Sequence, residues 1–257
     1  MMKQMQQMQT TTYFNYRLSD DLSAINDAVS SEGPAVVNCL NPHSFVTALD
    51  DDCFRSALEK SDLLLPDGEG ICMTLRRLSG KHLKKVAGDD LHRHLIEMLD
   101  AKGGRVFYMG SRDEVLERIA ARLHKEHPKI QAAYHSPSYG PMLAAEESQM
   151  LIEKIKAFAP DVLFVGMTAP KQEKWVEQYR HQLEGVRIVA NIGAVFDFYA
   201  GTVRRAPQWA IRLKLEWLVR LVKEPRRMWK RNFKSTPRFL MWVYRHRKEV
   251  SGMQNRT

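Results

Sequence analysis

The chain predicts an α/β fold, a Rossmann-like parallel sheet with helices on both faces, followed by a basic C-terminal helical appendage. Three observations predict it. Short apolar runs alternate with helical periodicity through the first 200 residues, the pattern of a parallel sheet covered on both sides. The 257 residues, 44% of them hydrophobic, suffice for a full-sized core. The charge is split. From Gly201 onward there are 16 basic and three acidic residues, a balance of +13, against −4 for residues 1–200. A mildly acidic body with a strongly basic tail suggests an anionic partner for the tail.

The elements follow in order. Residues 1–12 are polar and Met/Gln-rich and are expected to be disordered. The core is expected over 13–200 and the appendage over 201–257. AVVNCL (35–40) reads as a strand, and PHSFVTALDD begins a helix. DLLLP (62–66) is a strand, followed by the helical spacing of GICMTLRRL (70–78). DDLHRHLIEMLDAKGG (89–104) is a helix with a glycine stop. RVFYMG (105–110) is a strand, and DEVLERIAARLHKEH (113–127) an amphipathic helix. DVLFVGM (161–167) is a strand, and PKQEKWVEQYRHQL (170–183) a helix with proline in its first turn. RIVANIG (187–193) is the last core strand.

In such sheets ligands bind beyond the C-terminal strand ends. LLLPDGEG (63–70) delivers Asp67 to that edge, between glycines that permit close backbone approach. A turn with a helix N-cap would explain the same residues. Composition closes off several other classes. Cys39, Cys53 and Cys72 show no CxxC spacing, and an odd cysteine count argues against a disulfide framework, so a reducing compartment fits. The N-terminal stretch has no apolar h-region, so no signal peptide is expected, and no run is long enough to span a membrane. The GxxxxGK[ST] loop and a complete GxGxxG are absent, which leaves ATP and NAD poorly supported. His124 and His127 lack the rest of an HExxH motif, and His92 and His94 flank Arg93 on a helix; no metal is expected.

Four stretches carry a family resemblance: NPHSF (41–45), KKVAGDDL (84–91) after the PDG turn, VGMTAPKQEKW (165–175), and NIGAVFDFYAGTVRRAPQWAIRLKLEWLVRLVKEPRRMWKR (191–231). In this order and spacing they resemble the WecG/TagA/CpsF family of bacterial glycosyltransferases, from about Val36 to about Arg231. The resemblance implies an inverting transfer from a UDP-sugar, often of N-acetylmannosamine or its uronic acid, to a polyprenyl-diphosphate-linked sugar. It implies work at the cytoplasmic membrane face, as a peripheral protein, in cell-surface or exopolysaccharide biosynthesis. No cofactor beyond the UDP-sugar donor is implied.

An inverting transfer needs a base for the acceptor hydroxyl and cationic or donor groups for the departing diphosphate. By resemblance, Asp67 is the catalytic base. Gln172 matches the glutamine thought to hold the donor sugar or its phosphate, in a helix first turn whose N–H groups face an anion. Lys171 beside it adds charge, and Glu173 complements the helix dipole from the surface. Lys85 stands where many relatives carry arginine, which keeps the charge and loses the bidentate fork. Asn41, Gly110, Asn191, Gly193 and Asp197, all at strand ends, complete the expected donor pocket. Arg204 and Arg205 of RRAP are expected on the diphosphate. Cys39 falls where relatives can carry threonine; as a buried strand thiol it needs no role.

The tail has its own logic. Ile211, Leu215, Leu218 and Val222 share one helical face, which is expected to pack on the core. From Trp229 to Lys248, aromatics alternate with cations in a manner that suits an anionic bilayer surface. Arg220, Arg226, Arg227, Trp229, Lys230 and Arg231 are the expected lipid-diphosphate contacts. A non-catalytic nucleotide-binding or nucleic-acid-binding protein is the rival reading, but the tail carries no recognised nucleic-acid fold signature. The donor sugar, the final polymer and the possibility of a homo-oligomer stay open.

Overall fold

The computed structural model describes residues 11–29, 33–203, 216–223 and 229–248. Eight strands form one sheet in the order β1-β2-β4-β3-β8-β7-β5-β6. They are β1 (Thr11–Tyr13), β2 (Tyr16–Leu18), β3 (Ala35–Leu40), β4 (Leu63–Pro66), β5 (Arg105–Met109), β6 (Gln131–His135), β7 (Val162–Val165) and β8 (Ile188–Asn191). Seven run parallel, and β1 pairs antiparallel with β2 at the edge. The predicted α/β class is therefore the observed one.

Strands β4, β7 and β8 are buried along their whole length, as a sheet covered on both faces demands. Helices α1 (Ala24–Ala28), α2 (Pro42–Asp50), α3 (Asp52–Glu59), α4 (Glu69–Ser79), α5 (Gly88–Lys102), α6 (Asp113–Glu126), α7 (Ala145–Phe158), α8 (Lys171–Tyr179) and α9 (Val195–Tyr199) connect them. One core lies under α5 and α6, with Leu95, Leu99, Val115 and Ile119 against Val106, Phe164 and Ile188. Another lies under α7 and α8, with Leu151, Ile155, Trp175 and Val176 against Leu163 and Val189.

Two expectations change. Strand β1 begins at Thr11, so the ordered fold starts inside the stretch expected to be disordered. The tail is also arranged differently. Helix α10 (Glu216–Lys223) exposes Leu218 and Val222, the latter 76% exposed, although this apolar face was expected to pack on the core. Ile211 and Leu215 lie outside the described residues. Helix α11 (Thr236–Arg245), expected to serve the membrane, buries Phe239 and Val243 completely or nearly so. Both enter an aromatic cluster with Tyr13, Phe14, Tyr16 and Phe45, and Trp242 packs on its edge, its ring 4.9 Å from that of Phe45. Before α11, the π-helical turn Lys230–Ser235 brings the Ser235 hydroxyl within 2.8 Å of His43 Nδ1 on α2. Among the described residues no helix is long and apolar enough to cross a membrane.

Candidate active site

All seven parallel strands point their C-terminal ends the same way, and the loops there converge. Asp67 follows β4, half-buried, its backbone N–H bonded to the Leu40 carbonyl of β3 at 2.8 Å. The Pro66 carbonyl accepts from Val86 N–H at 3.0 Å, which brings Lys85 against the end of the same strand. Gly68 sits at φ 129°, and a side chain there would meet Pro42 and Asn41 at 3.4 and 3.6 Å. The glycine after Asp67 is therefore needed for its backbone conformation, while the tight approach to Pro42 is at Gly70, where a side chain would come within 2.8 Å of the proline ring.

Asn41 caps α2: its Oδ1 accepts from the N–H groups of His43 and Ser44 at 3.1 and 3.0 Å. That leaves its amide Nδ2 as the group able to meet a ligand. Cys39 lies between these ends. Burial first, then the charges of Asp67, Glu173 and Asp90, push its thiol well above the ordinary range.

From the other side come β8 and α8. Asn191 is 2% exposed and donates from Nδ2 to Asn38 Oδ1 at 2.7 Å; Asn38 in turn donates to the Ser61 hydroxyl at 2.8 Å. Gly193 sits at φ 54°, and a side chain there would lie 3.7 Å from Gln172 Oε1. Gln172 and Glu173 are each 4% exposed, and Gln172 Nε2 donates to Glu173 Oε1 at 2.8 Å. Three buried oxygens here meet no hydrogen-bond partner: Gln172 Oε1, Glu173 Oε2 and Asn191 Oδ1. Burial holds the Glu173 carboxyl up at about 7, against the pull of its bonds from Gln172 and from its own backbone N–H.

The remaining expected residues take other positions. Lys171 turns away from Gln172 and donates to the carbonyls of Ser138 and Gly140 at 3.4 and 3.0 Å. There it lines a cleft of about 610 Å³ with Tyr139, Met142, Thr168 and Pro170. Gly110 ends β5 at φ 113°, where a side chain would come within 2.8 Å of the Gly166 backbone, so packing alone requires this glycine. The carboxylate and carbonyl of Asp197 both accept from the Thr202 hydroxyl, at 3.2 and 3.0 Å. Trp229 is exposed, with its ring 4.3 Å from that of Phe233. Arg204, Arg205, Arg226 and Arg227 lie outside the described residues, as do the side chains of Arg220, Lys230 and Arg231.

Two residues of the site escaped the sequence reading. Asn38 lies within an apolar strand that offers no cue beyond its own polarity. Glu173, expected at the surface, is buried, and here a signal existed. Trp175 and Val176 face the core, and residues three and four positions earlier share their side of the helix.

The described edge thus joins a half-buried aspartate, a lysine, two buried amides and a buried glutamate at the mouth of a parallel sheet. The chain matches the family model described as glycosyl transferase WecG/TagA/CpsF family over residues 8–252. It is 32% identical over 214 residues to the N-acetylglucosaminyldiphosphoundecaprenol N-acetyl-beta-D-mannosaminyltransferase of Bacillus subtilis (strain 168), covering 83% of this chain and 80% of that one. The Bacillus spizizenii protein of the same name is 33% identical over 82% of this chain and 79% of its own. That of Staphylococcus aureus (strain MW2) is 26% identical over 89% and 84%.

Proposed function

The chain belongs to the WecG/TagA/CpsF family of glycosyl transferases, and from that premise we propose that it moves a sugar from a UDP-sugar to a polyprenyl-diphosphate-linked sugar. Asp67 is the general base that takes the proton of the acceptor hydroxyl. That hydroxyl oxygen attacks the anomeric carbon from the face opposite the diphosphate, so the configuration inverts and UDP departs. Lys85, Arg204 and Arg205 are the cations that neutralise charge building on the leaving group. The reading calls on these cations rather than on a metal. Gln172, Asn41 and Asn191 hold the donor.

One observation carries the reading: Asp67 stands directly beyond the C-terminal end of β4, its backbone N–H held by the Leu40 carbonyl of β3, at the sheet edge where such folds bind their ligands. The relatives' printed names support an N-acetylmannosamine donor and an acceptor of N-acetylglucosamine on undecaprenyl diphosphate. The lipid acceptor and the exposed aromatic-basic face of the last described helix support a peripheral position on the inner face of the cytoplasmic membrane.

The test is UDP release from UDP-N-acetylmannosamine with such an acceptor. Asp67→Asn is expected to slow turnover by about a hundredfold or more while UDP still binds. Wild-type turnover in that variant would remove Asp67 from the chemistry.

A further inference from the structure

We propose that Glu173 is a positioning residue for the donor nucleotide, its buried carboxyl holding the Gln172 amide over Gly193 as an uncharged hydrogen-bonding group. The inference rests on the glycosyl-transfer reading and adds a residue to it.

The geometry comes first. Gln172 is fixed through its Nε2, which donates to Glu173 Oε1 at 2.8 Å. In that orientation Oε1 is left without a hydrogen-bond partner, 3.7 Å from where a side chain at Gly193 would begin. A ligand hydroxyl or N–H entering there would give this buried oxygen its donor. An amide without such a tether could flip and present the wrong atom.

The charge state follows from the surroundings. Among the described residues no cation forms an ion pair with Glu173, which is 4% exposed. Lys174 on the same helix is paired with Asp51, and Lys171 is drawn to loop carbonyls. From the loop after β8 comes the uncharged Gly193, against Gln172. From β3 comes Cys39, whose thiol stays neutral, with Asp67 and Asp90 acting on it from their own elements. A carboxylate so enclosed is costly, and burial accordingly holds this group up at about 7. Ionisation would set a buried negative charge beside a bound diphosphate. Donor binding should therefore weaken as pH rises through about 7.

The experiment titrates UDP calorimetrically into wild-type protein and the Glu173→Gln and Glu173→Ala variants, at about pH 6 and about pH 8.5. At the lower pH, Glu173→Ala is expected to bind UDP about tenfold more weakly, with Glu173→Gln restoring most of the affinity. At the higher pH, wild type should lose several-fold relative to Glu173→Gln. The titration of UDP itself is common to both proteins and cancels in that comparison. Three results would overturn the proposal: a Gln variant as weak as Ala, an Ala variant as tight as wild type, or the same pH dependence in Gln and wild type. If thermal melting shows Glu173→Ala unfolded, the Gln comparison decides alone. Wild type that binds no UDP would sink the donor reading itself. Wild type that binds UDP without transferring sugar would sink only the acceptor reading, with the Glu173 comparison still legible.

Discussion

Burial pushes the Glu173 carboxyl from its ordinary 4.5 up to about 7 in the fold, so between those values the folded chain holds a proton that the unfolded chain has released. Its contribution is fully present below pH 4.5 and is lost as pH rises through about 7. The size is about 3 kcal/mol. Glu173→Gln should therefore be relatively more stable than wild type at pH 8 than at pH 5, and urea melts at the two pH values check this. The thiols offer a second residue-scale expectation. Cys53 is exposed, whereas burial and nearby carboxylates push Cys39 well up and Cys72 to about 11. At pH 8 an alkylating reagent should modify Cys53 quickly and the other two only on unfolding, as mass spectrometry would resolve. Gly110→Ala adds a methyl 2.8 Å from a backbone carbon at φ 113°. A loss of about 2–4 kcal/mol is expected in chemical denaturation.

At the scale of elements, the strongly patterned segments were legible and the weakly patterned ones were not. Strands β3, β4, β5, β7 and β8 are apolar runs of the expected length, and all five lie within a residue or two of where those runs place them. Strand β6, QAAYH, is an edge with no fully buried residue, so no apolar run announces it. Strands β1 and β2 are three residues each, too short for periodicity to register. Helix α7 did carry a signal, with Leu151, Ile152 and Ile155 on one face, and was passed over. The strand-end placement of Asp67 was readable from LLLPDG, but the cap that occupies Asn41 Oδ1 and the burial of Glu173 depend on packing. Helix α11 misled because a sequence of aromatics and cations does not say which face the core takes. The core takes Phe239, 5.3 Å ring to ring from Phe45. Phe239→Ala should cost about 3–5 kcal/mol in a denaturant melt and so register as a core mutation. A variant with wild-type stability would mean that α11 is not seated as described.

For the whole molecule, the consequence is that a truncation removing the tail cannot cleanly test membrane binding, since it strips Phe239 and Val243 from the fold. The outward face of α11 is the better probe. Leu240, Met241 and Tyr244 are exposed there, with Trp229 and Phe233 exposed just before it. Arg238 is already paired with Asp50, so the cations to change are Lys234, Arg245 and Lys248, all exposed. Each cation near an anionic surface is worth about 1 kcal/mol, so replacing all three with glutamine should weaken binding to anionic vesicles about a hundredfold. Because all three side chains are exposed, thermal stability should be unchanged, which separates this test from the Phe239 one. Wild-type attachment should also fall from about 0.1 M to about 1 M salt, as the screening length shrinks from about 10 to about 3 Å. Sedimentation with phosphatidylglycerol vesicles measures both effects. If the triple variant sediments like wild type at low salt, the +13 balance from Gly201 onward acts through other residues. The arginines of RRAP and EPRR would then be the ones to change next.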